Sequence, residues 1–476
     1  MEAFSLGSDS IEDRLDATHY LPTNRRVVKA VEESGMEVRD LGDLSSRVFY
    51  PGRFSRNYVA KDLPYIEYDN SKPGQPFVTP SEAKKNPEIR RVHRLSASQE
   101  VPEYVLEDED WILVTRSGTV GVTVRTNELK GVIGSEDFIR VVTDEDDTGH
   151  YLYAFLNSEY GRPQLKMGAH GSVIEHLRPE SIEQVRVPLP EDASLTSIGQ
   201  QVGEAMEDRR SADASMRAAL SVFSRHFDID GERNETSSER ASFVVESKDI
   251  EDRLDANYYL PQNRRIVAAI NDSDYETTTV GHEADQVFYP PRFRRNYVAK
   301  DVPFLSRHKQ EGGVPYLKPS EAKKVPEARR LNYLSESTSK LDRYLLKDAD
   351  WFVVTRSGTV GTTLRVGEDY EGFAASEHLI RVAPSEERMG KYLYAFMLHH
   401  LGKSQLKMGT HGSVVKEITP DHIEEVVVPV LPDPEFDEVV ENIDDALEHR
   451  RNANEKISDA ISRLEAALPA INEIQP

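Results

Sequence analysis

The sequence predicts a pseudo-two-fold symmetric α+β protein, two homologous α/β domains separated by two long antiparallel coiled-coil helices. Three observations carry the prediction. LVTRSGTVG at residues 113–121 returns as VVTRSGTVG at 353–361, and IEDRLDA opens at Ile11 and again at Ile250. The order of helical and strand-like patterns is the same in both copies. Each copy ends in a heptad seam.

The repeat is continuous. Arg14, Asp16, Tyr20, Pro22, Arg25 and Arg26 recur as Arg253, Asp255, Tyr259, Pro261, Arg264 and Arg265, a shift of 239, and PSEAKK at Pro80 recurs at Pro319. Trp111 and Trp351, the only tryptophans, are 240 apart, and Gly168, His170 and Ser172 match Gly409, His411 and Ser413 at 241. Two single-residue insertions reconcile these shifts. A period this long exceeds the roughly 20–50 residues of solenoid repeats, so each copy is a domain with its own core. The divisions expected are a first domain at 1–190, a first long helix at 191–228, a linker at 229–248, a second domain at 249–432 and a second long helix at 433–476.

Within each copy, Tyr20 to Val31 and Tyr259 to Ile270 carry apolar residues at helical spacing after a proline, a helix start. Next come RVFYPGRFSRNYVAKDLPY and QVFYPPRFRRNYVAKDVPF, whose Pro, Gly and aromatics suit loops and short strands. Short β-branched runs bounded by glycine or charge predict strands at Trp111–Thr115, Val120–Arg125 and Phe138–Val142, with counterparts at Trp351–Thr355, Thr362–Val366 and Leu379–Val382. Helices follow at Tyr151–Ser158 and Tyr392–His399, then last strands at VRVPLP and VVVPVL that stop at proline.

Beyond those prolines the period becomes helical. Phe436, Val440, Ile443, Leu447, Arg450, Asn454, Ile457, Ile461, Leu464, Leu468 and Ile471 alternate spacings of four and three, and Leu195, Gly199, Val202, Met206, Arg209, Asp213, Met216, Leu220, Phe223 and Phe227 do the same in the first copy. Each helix is about 50 Å long at 1.5 Å per residue. Polar residues interrupt both seams at one place. Antiparallel pairing about a pseudo-dyad sets Arg209 opposite Asn454 and Asp213 opposite Arg450, a layer that fixes register; the alternative is a solvated break in each helix. Between the copies, Asp228 to Ser242 is acidic, serine-rich and reads as an exposed linker.

Composition narrows the function. With 38% hydrophobic residues the chain is globular, and with no cysteine it holds no disulfide framework or thiolate metal site, which fits a reducing cytoplasm. No basic-then-apolar leader and no stretch near 18 apolar residues appears, so neither secretion nor membrane spanning is expected. The formal charge is −24, yet residues 45–97 hold ten Lys or Arg against five Asp or Glu, and 286–335 eleven against four. One such segment is ordinarily a solvated loop. Its recurrence at equivalent places favours a localised nucleic-acid face on an acidic molecule.

In DRLDATHYLP and DRLDANYYLP, the D-W-[IF]-[LV]-V-T-R-S-G-T-V-G segment, SEDFIRV and SEHLIRV, and the GS-V element before a proline-terminated strand, the chain resembles the DNA specificity subunit of type I restriction-modification systems. The resemblance covers essentially the whole chain, and order and duplication make it specific. It departs from the family habit in the similarity of the two domains. It implies two target recognition domains that read the halves of a bipartite site on double-stranded DNA, and paired helices that act as spacer and docking surface for two modification (methyltransferase) subunits. It implies no catalysis by this chain. S-adenosylmethionine belongs to the modification subunits, and ATP to restriction or translocase subunits where present.

The basic clusters supply candidate phosphate contacts: Arg53, Arg56, Lys61, Lys84, Lys85, Arg90 and Arg91, with equivalents Arg292, Arg295, Lys300, Lys323, Lys324, Arg329 and Arg330. Asn57 and Asn296, flanked by Arg and Tyr, are candidate base readers, since Asn pairs with adenine edges. Arg116 and Arg356 sit in a glycine turn and either reach DNA or pair within their own domain. His170 and His411, in GAHGS and GTHGS, are DNA candidates or plain turn residues. TRSGTVG lacks the Gly-Lys-Ser/Thr ending of a phosphate loop. No HExxH, paired-cysteine or Asn-Pro-Pro-Tyr-type run occurs, and His170 with Ser172 has no placed carboxylate, so catalysis is not expected.

Overall fold

The computed structural model describes residues 20–66, 74–99, 101–107, 111–171, 175–227, 243–250, 256, 258–347, 352–358, 360–367, 370–412 and 416–474. The DRLDA openings (apart from Ala256), the linker at 228–242, Ser172, Ser413 and Trp351 lie outside them.

Each domain begins with the expected helix, Pro22–Glu32 or Pro261–Asn271, started by proline at its first turn. Val27, Ala30 and Val31 turn it onto the core. The sequence between that helix and the long one folds into two four-stranded sheets. One orders strands 47–49, 138–142, 112–115 and 123–125, all antiparallel, with Thr115 opposite Phe138. The other orders 58–64, 91–95, 75–78 and 133–134, the last pair parallel. A two-stranded ribbon joins 37–40 to 186–189. The second domain repeats all three, with strands 284–288, 379–384, 352–355 and 363–365, then 297–303, 330–334, 314–317 and 374–375, and a ribbon of 276–279 with 427–430. The strand at Ile112–Thr115 is buried throughout because helix Asp146–Asn157 covers one face and the second sheet the other. TRSGTVG is a turn whose Gly118 and Gly121 take φ of +74° and +75°, which accounts for the glycines by backbone conformation rather than by ligand approach.

The long helices run Asp192–His226 and Asp433–Ala466 and pack antiparallel. Gln201 bonds Asp459 at 2.7 Å, Asp208 bonds Lys456 at 2.9 Å and Arg225 pairs with Glu438 at 2.5 Å, a descending register that only an antiparallel pair produces. Val202, Met206, Met216, Leu220 and Phe223 bury their seam against Ile443, Ile457, Ile461 and Leu464. The second seam was expected to stay helical to Ile471, but the helix ends at Ala466, shortly before Pro469, and Ile471 sits in a short 3-10 turn.

At the middle, Arg450 Nη2 lies 3.8 Å from Asp213 Oδ1, the cross-helix contact the seam predicts. The stronger partner comes from elsewhere. Arg450 Nη1 donates to Glu88 Oε1 at 2.9 Å, and Arg209 pairs symmetrically with Glu327. Both glutamates are almost fully buried, at 3% and 2% exposure. Each stands in a Pro-Glu turn that its domain extends to the rod's midpoint. Tyr153 Oη also donates to Glu327, at 2.5 Å.

The domains therefore sit at opposite ends of the rod and still interlock at its centre. Helix 146–157 packs on the start of the first long helix, with Asp147 against Gly199, while Tyr392 and Phe396 pack on Phe223 near its end. Phe304 and Leu305 of the second domain join the first domain's core, and Ile66 joins the second's. Symmetry fails locally. In the first domain Asn127 donates to Met206 O at 3.4 Å and accepts from Arg210 at 3.2 Å. In the second domain Gly367 stands at the equivalent position, and a cavity of about 420 Å³ lies there, lined also by Glu88, Lys391, Asp444 and Arg450.

Removing one partner of a buried ion pair leaves the other charge uncompensated, so Arg450→Ala or Glu88→Ala alone should cost about 3–5 kcal/mol. Arg450→Met combined with Glu88→Leu should recover most of that loss. Urea unfolding of the two single variants and the double variant checks the coupling.

Candidate nucleic-acid interface

Strands 58–64 and 297–303 are edge strands of their sheets, paired on one side only. Their outward side chains carry the exposed chemistry. In RNYVAKD, Ala60 turns inward while Asn57, Val59 and Lys61 are exposed, and Asn296, Val298 and Lys300 repeat them. Register shifts after Tyr58 and Ala60, and after Tyr297 and Ala299, bend each strand. The Asn57 backbone is fastened by Gln99 Oε1, which accepts from its N–H at 3.1 Å, and by Ser96 N–H, which donates to its carbonyl at 2.8 Å. Lys61 Nζ lies 4.8 Å over the Tyr58 ring, and Lys300 Nζ 5.2 Å over Tyr297. Arg53 and Arg292 are exposed at the foot of each strand.

Behind this edge, other candidates hold the strand in place. Arg56 stacks between Phe54 and Phe77, at 5.5 and 4.8 Å, and pairs with Glu136. Arg295 stacks on Phe293 and Tyr316 and pairs with Glu377. Burial is the largest single influence and opposes both arginine charges, but hydrogen bonds and Coulombic attraction to the glutamates and neighbouring tyrosines together raise both pKa values. Arg91 is paired with Asp62 at 2.8 Å and Arg330 with Asp301 at 2.6 Å.

The PSEAKK turns correct a larger expectation. They do not form separate phosphate clusters; they meet each other at the pseudo-dyad. Lys85 and Lys324 form an antiparallel bridge, Asn86 N–H donates to Lys323 O at 2.9 Å, and Val325 N–H to Lys84 O at 2.8 Å. Arg90 and Arg329, each 1% exposed, are buried beneath their turns and cannot reach a phosphate. Arg90 donates to Lys85 O at 3.1 Å, and Arg329 to Glu321 O at 3.0 Å. Lys323 is buried as well, while Lys84, Lys85 and Lys324 stay half-buried at the seam between the repeats, since a lysine-rich loop reads alike whether it faces solvent or its own repeat.

Arg116 and Arg356 are committed within their domains. Arg116 lies 4.1 Å over Tyr50, while Arg356 lies 4.3 Å over Tyr289 and pairs with Glu417 at 2.8 Å. His170 and His411 sit in two-residue β-bridges to His176 and Glu417, half-buried beside those arginines.

The sequence reading missed Val59 and Val298, 40% and 56% exposed. Their signal was available: an apolar residue repeated between Asn and Lys in a basic segment. It also missed Glu88 and Glu327, legible only as a Pro-Glu pair common to both copies.

A polar ladder joins the two edges. Asp62 binds Arg91, whose N–H donates to Glu82 at 2.9 Å; Glu82 binds Lys85 at 2.5 Å; across the bridge Lys324 binds Glu321 at 2.9 Å, which accepts from Arg330 N–H at 3.0 Å, and Arg330 binds Asp301. One continuous chain of polar contacts thus runs from Asp62, next to Lys61, over the pseudo-dyad to Asp301, next to Lys300.

No protein-family model and no curated protein matches the chain. Solved structures similar to it include the type I restriction-modification system S subunit from M. genitalium, 11% identical over 93% of this chain and 97% of that one, TM-score 0.35. The HsdS subunit from Thermoanaerobacter tengcongensis is 13% identical over 93% and 96%, TM-score 0.26. A chain from a study of complex assembly and conformational transition of the type I R-M system is 15% identical over 91% and 96%, TM-score 0.27.

Burial, and then Lys85 across the bridge, push the Lys323 ammonium down to about 8. Between that value and the unfolded lysine value of roughly 10.4, the unfolded chain binds a proton the folded chain has shed, so stability rises with pH there. Lys323→Met should therefore raise the melting temperature at pH 7, with the advantage shrinking between pH 8 and 10. Thermal melts across that range check it.

Proposed function

We propose that this chain is a non-catalytic, sequence-specific DNA-binding subunit that reads a bipartite target and positions modification subunits, and restriction subunits where present, upon it. One observation carries the reading: two equivalent edge strands, each with an exposed Asn and Lys beside an exposed Arg, occupy domains related by a pseudo-dyad at the middle of an antiparallel rod. Duplex DNA has local dyads of its own, so a two-headed reader of this symmetry meets two half-sites in inverted orientation. The rod supports a fixed separation, and the ladder across the pseudo-dyad supports a fixed rotation between the heads.

Localised positive charge on an acidic molecule supports DNA over an unselective polyanion, because the remaining surface repels phosphate and confines contact to the basic edges. S-adenosylmethionine and ATP chemistry is assigned to partner subunits. The rod's exposed, largely acidic outer face is available to them.

Selection of the full-length chain against a randomised duplex library is the direct test. The expected product is a bipartite motif with related half-sites in inverted orientation, and enrichment of no motif would overturn the proposal. On the selected duplex, Lys61→Ala with Lys300→Ala should weaken binding and reduce the slope of log affinity against log salt by about 2, one phosphate per lysine.

A further inference from the structure

The exposed valines of the two edge strands are unexplained by folding. Among the described residues only five large hydrophobic side chains are exposed, and three of them, Val59, Tyr297 and Val298, lie on these strands, the two valines at equivalent positions 239 residues apart. A single exposed valine is ordinary, but the same one left open twice is a repeated surface feature.

The valines are also held from behind. Gly74, at φ +97°, packs so closely that an added Cβ would come within 2.7 Å of Val59 Cγ2, and one added at Gly313, at φ +82°, would come within 2.5 Å of Val298 Cγ2. Each valine thus has Cγ2 against glycine backbone while the residue as a whole stays exposed. The flanking outward residues, Asn57 and Lys61 or Asn296 and Lys300, make the immediate surroundings polar and cationic. This pattern suits a groove of duplex DNA better than an apolar protein partner, whose core contacts are depleted of charge.

Resting on the DNA-binding reading above, we propose that Val59 and Val298 are specificity-determining residues that each pack against the 5-methyl group of one thymine in the major groove. An edge strand with its one hydrogen-bonded neighbour fits that groove as a two-stranded ribbon. Asn57, Val59 and Lys61, like Asn296, Val298 and Lys300, are exposed together along one edge, so an amide, a methyl and an ammonium group meet the groove side by side. The thymine methyl is the one apolar group that the major-groove edges present, and valine is the exposed apolar side chain that the two strands share. The two-fold relation of the strands assigns one such thymine to each half-site, on opposite DNA strands.

The test uses the full chain and the duplex it selects from a randomised library. Uracil replaces each thymine in turn, which deletes the methyl and leaves the pairing edge intact. For the wild-type chain, one position in each half-site should lose about fourfold in affinity, the worth of one buried methyl. Val59→Ser should abolish that uracil penalty in one half-site and Val298→Ser in the other, while Val59→Ile retains it; thermal melts establish that the variants fold. The inference is overturned if no thymine position shows the penalty, or if the serine variants show it undiminished. Failure of the wild-type chain to select any motif overturns the DNA-binding reading and this inference with it, whereas a selected motif indifferent to the valines overturns the inference alone.

Discussion

Two buried glutamate-arginine pairs at the centre of the rod govern how the rest of the molecule is arranged. Glu88 of the first domain meets Arg450 of the second long helix, and Glu327 of the second domain meets Arg209 of the first. Each helix's charge is neutralised by the domain at the far side of the dyad, because each arginine faces an acid that its own domain does not supply. A buried charge left alone costs far more than the pair contributes, so the four residues hold both turns at the midpoint together or lose stability together. The helix register, the closure of the domains and the meeting of the PSEAKK turns are consequences of that one constraint.

Charge near the dyad is accordingly spent on structure. Lys85, Lys324, Arg91 and Arg330 are laced to Glu82, Glu321, Asp62 and Asp301, and Arg90 and Arg329 tie down the turns beneath them. What remains outward is narrow: the edge strand of each domain, with its asparagine, valine and lysine, and the arginines at its foot, Arg53 in the first domain and Arg292 and Arg294 in the second. Narrowness suits the proposed reading of DNA, since a broad basic face grips every sequence while a few outward side chains on a stiff edge discriminate. Arg56 and Arg295, paired with Glu136 and Glu377 and stacked among aromatics, supply the stiffness from behind.

The symmetry is close at the dyad and looser away from it. Asn127 fills with hydrogen bonds the place where Gly367 leaves open space, so the two heads rest on the rod with different packing. Interiors tolerate such a difference when the surrounding sheet is unchanged, and the paired strands keep the same order in both domains.

By itself the sequence determined the duplication, the helices and most strands, the antiparallel rod and its polar layer. These are matters of period and repetition: strands at Ile112–Thr115 and Phe138–Val142 and the seam around Arg209 and Arg450 are written in local spacing, which fixes which face is apolar. The exposed part of the candidate site, Arg53, Asn57, Lys61 and their equivalents, was legible for the same reason, as cations and an amide recurring in one loop. Tertiary structure decided the rest. Whether Lys84, Lys85 and Arg90 face solvent or their own repeat depends on where residues about 240 positions away come to lie, and local pattern holds no record of that distance. The partners of Arg209 and Arg450 depend on it too, since burial and pairing belong to the assembled fold rather than to a residue's type.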